Sequence, residues 1–251
     1  ARDRVQLSML RLSDEKETVS HLQLSGHARP VAVLERYLKL RGMSEGKCML
    51  TFGITAGSNA QAKAARSQAL RTIRKFGGVN VGTALGKRWV PTRFRAPYIR
   101  HGMWEAGYCV DTFETSADWS VVPQLKAGID TAVAAVASEF GEQVHVFTHL
   151  SHIYRQGSSV YTTYVFRAAD SYAETLERWR KFKAAACEQI VEHGATISHH
   201  HGVGYDHSPY LEAEKGPLGI AALESVLHSF DPAGMMNPGK LMPDKRSARV
   251  Q

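Results

Sequence analysis

Between residues 108 and 197, the apolar side chains switch between strand-like and helix-like spacing in the order β-α-β-β-α-β. The predicted strands lie at 108–113, 144–154, 159–167 and 195–197, and the predicted helices at 117–140 and 172–194. The first helix carries an apolar stripe with a period near 3.6 residues, and the second begins at a capping box that starts with Ser171. This order is typical of a ferredoxin-like unit. The sequence therefore predicts an α+β fold built on an antiparallel sheet.

The segments on either side of this unit add further elements. Strands are predicted at 5–9, 49–54 and 79–81, and helices at 30–41, 59–76 and 218–230. The stretch 86–100 is rich in arginine, proline and aromatic residues without a clear period, so we interpret it as a functional loop or an irregular helix.

Composition limits the class of protein. The 251 residues are 43% hydrophobic and 22% charged, which excludes collagen-like and disordered chains, and no apolar run has the length of a membrane span. The net charge of +7 favours acidic partners, such as phosphate esters, anionic lipid surfaces or nucleic acid. Nucleic acid is the weakest of these, because the cations are scattered along the chain.

Three widely spaced cysteines indicate a reducing compartment. The first residue is Ala1 and no signal peptide follows, so we expect a processed chain or a fragment.

Three consecutive histidines are the strongest chemical signal. His199, His200 and His201 lie between a predicted strand and the glycines Gly202 and Gly204. In an extended chain His199 and His201 face one way and His200 the other, and the glycines let the backbone approach a ligand closely. This pattern suits proton transfer or charge stabilisation beside a bound group.

Other residues become interesting only in combination. Tyr161, in the hairpin strand next to the strand that leads to the three histidines, could act as a general acid or base, and Arg11 and Arg100 could clamp an anion. A zinc site is an open alternative, because His145, His149 and His152 share one predicted strand and could be joined by His199 or His201.

Several motifs occur in a fixed order along almost the whole chain. They are Arg11-Leu12 with Asp14, 75–78 (KFGG), 96–100 (APYIR), 113–119 (FETSADW), 198–204 (SHHHGVG), 230–232 (FDP) and 237–239 (NPG). Together they closely resemble the C-terminal half of the alkyldihydroxyacetonephosphate synthases, a family of FAD-linked oxidases of the vanillyl-alcohol-oxidase type.

The resemblance implies a domain organisation and a reaction. Residues 1–198 would form the ferredoxin-like cap, or substrate, domain, and 199–251 a C-terminal helical return segment with the histidines and the terminal helix, while the N-terminal FAD-binding domain would lie outside this chain. The family exchanges the acyl chain of acyl-dihydroxyacetonephosphate for a fatty alcohol, which gives an ether lipid precursor with FAD as cofactor and no net redox change. Peripheral membrane contact, a homodimer and a cytoplasmic location, or a peroxisomal one in a eukaryote, are further expectations.

The resemblance also implies a role for each candidate residue. Tyr161 would donate and accept the proton, and His199 would orient that tyrosine. His200 and His201 would stabilise charge beside the flavin. Arg100 would grip the substrate phosphate, and Arg11 would support the site.

Alternative functions stay open at this point. The first is an FAD-linked dehydrogenase or oxidase of a 2-hydroxy acid, although such relatives carry a Gly-Glu-His-Gly type motif where this chain has three histidines and Gly202. A zinc enzyme and a non-catalytic binding module are the others, and a binding module would tolerate loss of Tyr161 and of the three histidines.

Overall fold

The computed structural model describes residues 5–24 and 28–242 and confirms the α+β prediction. The strands are β1 (Met9–Ser13), β2 (Met49–Gly53), β3 (Tyr108–Asp118), β4 (His145–Leu150) and β5 (Gly157–Arg167). The longer helices are α1 (Glu15–Gln23), α2 (Ala28–Leu40), α3 (Asn59–Lys75), α4 (Ala84–Thr92), α5 (Ala96–Glu105), α6 (Val122–Glu139), α7 (Tyr172–Glu192) and α9 (Leu211–Phe230). The single turn α8 (Gly204–His207) and a 3₁₀ turn (Ser208–Tyr210) precede α9.

The chain divides into two compact units that alternate along the sequence. Unit 1 comprises Ala1–Asp111 and His145–Val165, and unit 2 comprises Thr112–Val144 and Phe166–Gln251. This division differs from the boundary expected at residue 198, which was drawn from family roles and stays a prediction.

Unit 1 contains β1, β2, β4 and most of β5, whereas most of β3 belongs to unit 2. The strand order of the sheet is β2-β1-β4-β5-β3. β1 pairs antiparallel with both β2 and β4, and β4 pairs antiparallel with β5 so that His149 lies opposite Tyr161. The carboxylate of Asp14 caps α1 by accepting from the backbone N–H of Glu17 at 2.8 Å, and it also accepts from the N–H of Thr148 on β4 at 2.9 Å. One side chain therefore fixes the start of α1 against the middle of the sheet.

Unit 2 buries its core between α6 and α7. Leu125, Ile129 and Val133 form the apolar stripe of α6 and are fully buried. On α7, the ring of Phe182 packs at 4.9 Å from that of Phe166. Ser171 caps α7 as predicted, because its hydroxyl accepts from the N–H of Glu174 at 3.1 Å.

Several predicted elements differ from the structure. The first strand lies at Met9–Ser13 instead of 5–9, because these residues pair with β2, and Leu12 and Ser13 also pair with β4. Residues 79–81 and 195–197 do not form regular strands. The stretch 86–100 lies mainly in α4 and α5, two short exposed helices whose apolar residues follow no single buried stripe; the proline in the first turn of α5 suits a helix start.

The terminal helix is longer than predicted but is interrupted. α9 starts at Leu211, and Gly216 has φ of 68°, which breaks the helical path just before Pro217. The part beyond this kink matches the predicted helix 218–230. Among the residues that the structure describes, no helix has both the length and the apolar character needed to cross a membrane.

Candidate active site

The histidine segment of unit 2 is held rigidly against β3. The N–H of Thr196 donates to the carbonyl of Ser116 at 3.0 Å, and the N–H of His199 donates to the carbonyl of Glu114 at 2.9 Å. The hydroxyl of Thr115 adds a bond to the carbonyl of Thr196 at 2.6 Å. Residues 195–199 therefore follow β3 although they do not form a regular strand.

Glu114 joins two of the three histidines. Its side chain is only 4% exposed; Oε1 lies 3.1 Å from Nδ1 of His199 and Oε2 lies 3.4 Å from Nε2 of His201. Because a carboxylate only accepts, Nδ1 of His199 carries the proton that faces it, and Nε2 of His201 lies within ion-pair distance of the other oxygen. Glu114 thus fixes the ring orientation of both histidines, as a carboxylate does for histidines in metal and catalytic sites.

The backbone turns sharply at the middle histidine. His200 has φ of 62° and Gly202 has φ of 77°, and the hydroxyl of Ser198 closes the turn by donating to the carbonyl of Gly202 at 2.6 Å. A left-handed conformation at a residue other than glycine is uncommon and occurs often at functional sites. The ring of His200 is exposed and meets that of His199 edge-on at 4.1 Å.

Two other predicted site residues, Tyr161 and Arg11, meet in unit 1. The ring of His149 stacks on that of Tyr161 with centroids 4.6 Å apart and planes 16° apart. Nδ1 of His149 lies 3.0 Å from Oε1 of Glu17, and Nη2 of Arg11 lies 2.6 Å from the same oxygen. Arg11 and Tyr161 therefore belong to one cluster, which is joined through His149 and Glu17.

Arg100 lies in unit 1. The contacts described above join it neither to the three histidines nor to the cluster of Arg11 and Tyr161. It is exposed on α5, where its guanidinium can reach a ligand from solvent. Its positive charge lowers the pKa of Cys109 against the larger effect of burial, which raises it. The predicted site residues are thus divided, with the three histidines in unit 2 and Arg11, Arg100 and Tyr161 in unit 1.

The histidines of β4 do not converge as a zinc site would require. Nε2 of His145 lies 2.8 Å from the hydroxyl of Ser20, whereas His149 is bound to Glu17. Within residues 5–24 and 28–242, no group of three or more histidine, cysteine or acidic side chains is arranged to hold a metal ion.

Sequence reasoning gave no role to either buried glutamate. Glu114 could have been noticed, because it lies between Phe113 and Thr115 at the buried centre of β3, where a carboxylate needs a partner. Glu17 gave no such signal, since it lies in a helix with other charged residues and only the tertiary fold buries it.

Comparison with known proteins identifies the family. The model of the FAD linked oxidases, C-terminal domain, matches residues 1–241. The chain belongs to this family. The alkyldihydroxyacetonephosphate synthase of Trypanosoma brucei brucei is 28% identical over 246 residues, which cover 96% of this chain and 40% of that protein. An uncharacterised FAD-linked oxidoreductase of Escherichia coli strain K12, YgcU, is 24% identical over 216 residues, which cover 80% of this chain and 42% of that protein.

Solved structures support the same fold. A structure of an alkyldihydroxyacetonephosphate synthase matches with a TM-score of 0.64 at 19% identity, over 94% of this chain and 40% of that one. This chain therefore spans about two fifths of the length of these relatives. The comparisons confirm the resemblance found in the sequence.

The histidine segment has the donors that a flavin would need. A flavin ring presents carbonyl oxygens and ring nitrogens, and becomes electron-rich when it gains charge. His200 and His201 carry N–H groups at an exposed turn, and Gly202 lets the backbone approach without a side chain. These residues fit the cofactor of the family.

Proposed function

We propose that this chain is the cap and C-terminal portion of an FAD-dependent, alkyldihydroxyacetonephosphate synthase-like enzyme. It would exchange the acyl chain of acyl-dihydroxyacetonephosphate for a fatty alcohol and release a fatty acid. The observation that carries this proposal is the histidine segment anchored by Glu114, in a chain that aligns over 96% of its length with a relative named for this activity.

The exchange breaks one carbon–oxygen bond and forms another at the same carbon. The acyl carboxylate leaves, the alcohol oxygen takes its place, and the proton lost by the alcohol balances the released acid. The carbon also loses and regains a proton, so the reaction needs a group that carries a proton in both directions. The Tyr161 phenol can do this, and the stacked His149 holds its ring in one plane.

The remaining candidate residues would bind charge. Arg100 presents an exposed guanidinium, which can take a phosphate through two parallel hydrogen bonds. When bound, the flavin would supply an electron-poor ring to the reacting carbon. His200 and His201 would hold that ring and stabilise negative charge on it, and Glu114 would keep His201 oriented for this task.

We also propose that α4 and α5 contact a membrane surface, from which such lipid substrates would be taken. Their exposed apolar side chains include Phe94, Ile99 and Trp104, each more than half exposed. Between residues 84 and 105 there are five lysine and arginine residues and a single acidic one. Aromatic side chains interleaved with arginines are typical of segments that lie in a lipid interface.

Anaerobic flavin absorbance of the holoenzyme tests the reaction. We expect acyl-dihydroxyacetonephosphate to bleach the flavin, fatty acid to be released, and the colour to return when a long-chain alcohol is added without an oxidant. A Tyr161→Phe holoenzyme should keep its FAD but show no exchange. Bleaching by 2-hydroxy acids, with recovery only when an electron acceptor is supplied, would replace this proposal by an oxidoreductase, the class to which YgcU belongs by name.

A further inference from the structure

The Arg11, Glu17 and His149 cluster lies directly behind Tyr161 and has no role in the proposed exchange beyond contact with that ring. The Glu17 side chain is 2% exposed and the His149 side chain 10%. Oε1 of Glu17 is shared between Nη2 of Arg11 at 2.6 Å and Nδ1 of His149 at 3.0 Å. Removing this carboxylate from water costs free energy, which its contacts with the two neighbouring nitrogens must offset.

Glu17 is ionised whenever the protein is folded near neutral pH. Burial alone would raise the pKa of this carboxyl, but the hydrogen bond from His149 and the charges of His149 and Arg11 lower it to about 2. Nδ1 of His149 lies 3.0 Å from this carboxylate and 3.1 Å from Nη2 of Arg11, so the ion pair fixes how the imidazole is turned, whichever ring nitrogen carries the proton.

The sheet register carries this orientation to Tyr161. His149 on β4 is the direct partner of Tyr161 on β5, so their side chains stand on the same face of the sheet. The two rings are nearly parallel, 16° apart, with centroids 4.6 Å apart. A phenol whose ring is stacked in this way cannot rotate about its own axis without losing the contact, because the neighbouring ring is itself anchored.

We propose that Glu17 and Arg11 act through His149 to fix the ring plane of Tyr161, so that the phenol O–H bond, which lies in the plane of its ring, stays in one plane throughout the exchange. His149 is thus a positioning residue and does not itself transfer the proton. The inference rests on the proposed function only for the role of Tyr161 in proton transfer. The stacking of the two rings is present without substrate.

Two substitutions of His149 separate ring stacking from simple structural support. His149→Ala removes the stacked ring, whereas His149→Phe keeps a planar ring on Tyr161 and gives up the contacts of Nδ1 with Glu17 and Arg11. Both leave Glu17 paired with Arg11, so the carboxylate keeps a partner. His152→Ala, at an exposed histidine three residues further along, is the matched control.

Steady-state kinetics of the holoenzymes give the first readout. We expect His149→Ala to lower kcat by at least about tenfold with KM for acyl-dihydroxyacetonephosphate within twofold of the wild type, because misdirected proton transfer affects the chemical step. His149→Phe should recover only part of that loss, because its ring can stack but is not anchored by Glu17 and Arg11, and His152→Ala should match the wild type. Wild-type kcat in His149→Ala, or in His149→Phe, would overturn the proposal.

Fluorine NMR gives a second readout that needs no substrate. With 3-fluorotyrosine at position 161, the wild type should show one resonance displaced by the stacked ring, the displacement should persist in His149→Phe, and it should disappear in His149→Ala. An unchanged resonance in His149→Ala refutes the positioning role even if the enzyme performs the exchange. The expected pattern in a protein without exchange activity would instead refute the proposed function and leave the positioning role intact. If His149→Ala does not fold, His149→Leu, which fills the space without a planar ring, replaces it.

Discussion

Each histidine cluster in this protein depends on one buried carboxylate. Glu17 holds His149 in unit 1 and Glu114 holds His199 and His201 in unit 2. A buried charge without partners would cost several kcal/mol, so each glutamate needs its donors as much as the histidines need an acceptor. The orientation of each of these histidine rings therefore depends on an acidic residue that is far from it in the sequence.

The low pKa of Glu17 makes part of the protein's stability dependent on pH. A carboxyl whose pKa falls from 4.5 to about 2 on folding contributes free energy of unfolding above pH 4.5, and loses it as the pH falls towards 2. The expected contribution is on the order of 3 kcal/mol. Glu17→Gln should be less stable than the wild type at pH 7, and the difference should shrink on acidification.

Urea unfolding between pH 2 and pH 7 measures this difference. Glu139→Gln is the matched control, because Glu139 is exposed and pairs only with the exposed Nζ of Lys181 at 3.0 Å in the contacts described. A Glu17→Gln variant whose stability follows the wild-type pH dependence in parallel would contradict the assignment.

At the scale of elements, the sequence predicted the helices best where a helix buries one continuous apolar face. α7 lies within a few residues of its predicted range, and α6 ends where predicted, because a long apolar stripe and the Ser171 cap are local signals. The start of α6 was predicted too early, because β3 continues to Asp118 and the helix begins only at Val122. The stretch 86–100 was harder because α4 and α5 bury no such stripe. Residues 195–197 follow β3 through tertiary hydrogen bonds, which no local pattern encodes.

The same limit applies to the candidate site. The three consecutive histidines before a glycine-rich turn can be recognised in the sequence. The predicted roles of these histidines and of Tyr161 came from the family motifs. Their partners could not be foreseen, because Glu17 and His149 are brought together by the pairing of β1 with β4 and by the cap of α1 on Asp14. The sequence shows which residue types are present. That Arg11 and His149 contact the same oxygen of Glu17 depends on the pairing of the strands in the folded sheet.

The α4 and α5 surface leads to a prediction at this scale. A protein carrying this chain with Phe94→Ser and Trp104→Ser should bind vesicles containing anionic lipid at least about tenfold more weakly, since each buried aromatic side chain is worth about 1.5–3 kcal/mol. Sedimentation with vesicles measures binding, and higher salt should weaken it in the wild type. Phe76→Ser, at an exposed phenylalanine after α3, is the control. Equal binding by all three proteins would remove membrane contact from this surface.

At the scale of the whole molecule, this chain matches a C-terminal domain and about two fifths of its relatives' length. It offers histidine donors for a flavin, but its sequence contains no glycine-rich phosphate-binding loop opening a helix after a strand. Most of the binding energy for FAD should therefore come from the FAD-binding domain that the family pairs with this one.

The chain alone is accordingly expected to bind FAD poorly. After gel filtration with excess FAD, its flavin absorbance should be far below one equivalent, whereas the complete enzyme should retain a full equivalent. A yellow, stoichiometric preparation of the isolated chain would show that these residues hold the cofactor without the other domain.

The alternation of the two units along the chain affects how the protein is made. β1 needs β4 on its second edge, yet the chain must first supply Thr112–Val144 to unit 2 before β4 and β5 are synthesised. Until the ribosome has passed Leu150, at the end of β4, β1 is an open edge beside a finished β2, able to pair with another nascent chain. Dependence on chaperones should therefore be greatest during this interval of synthesis.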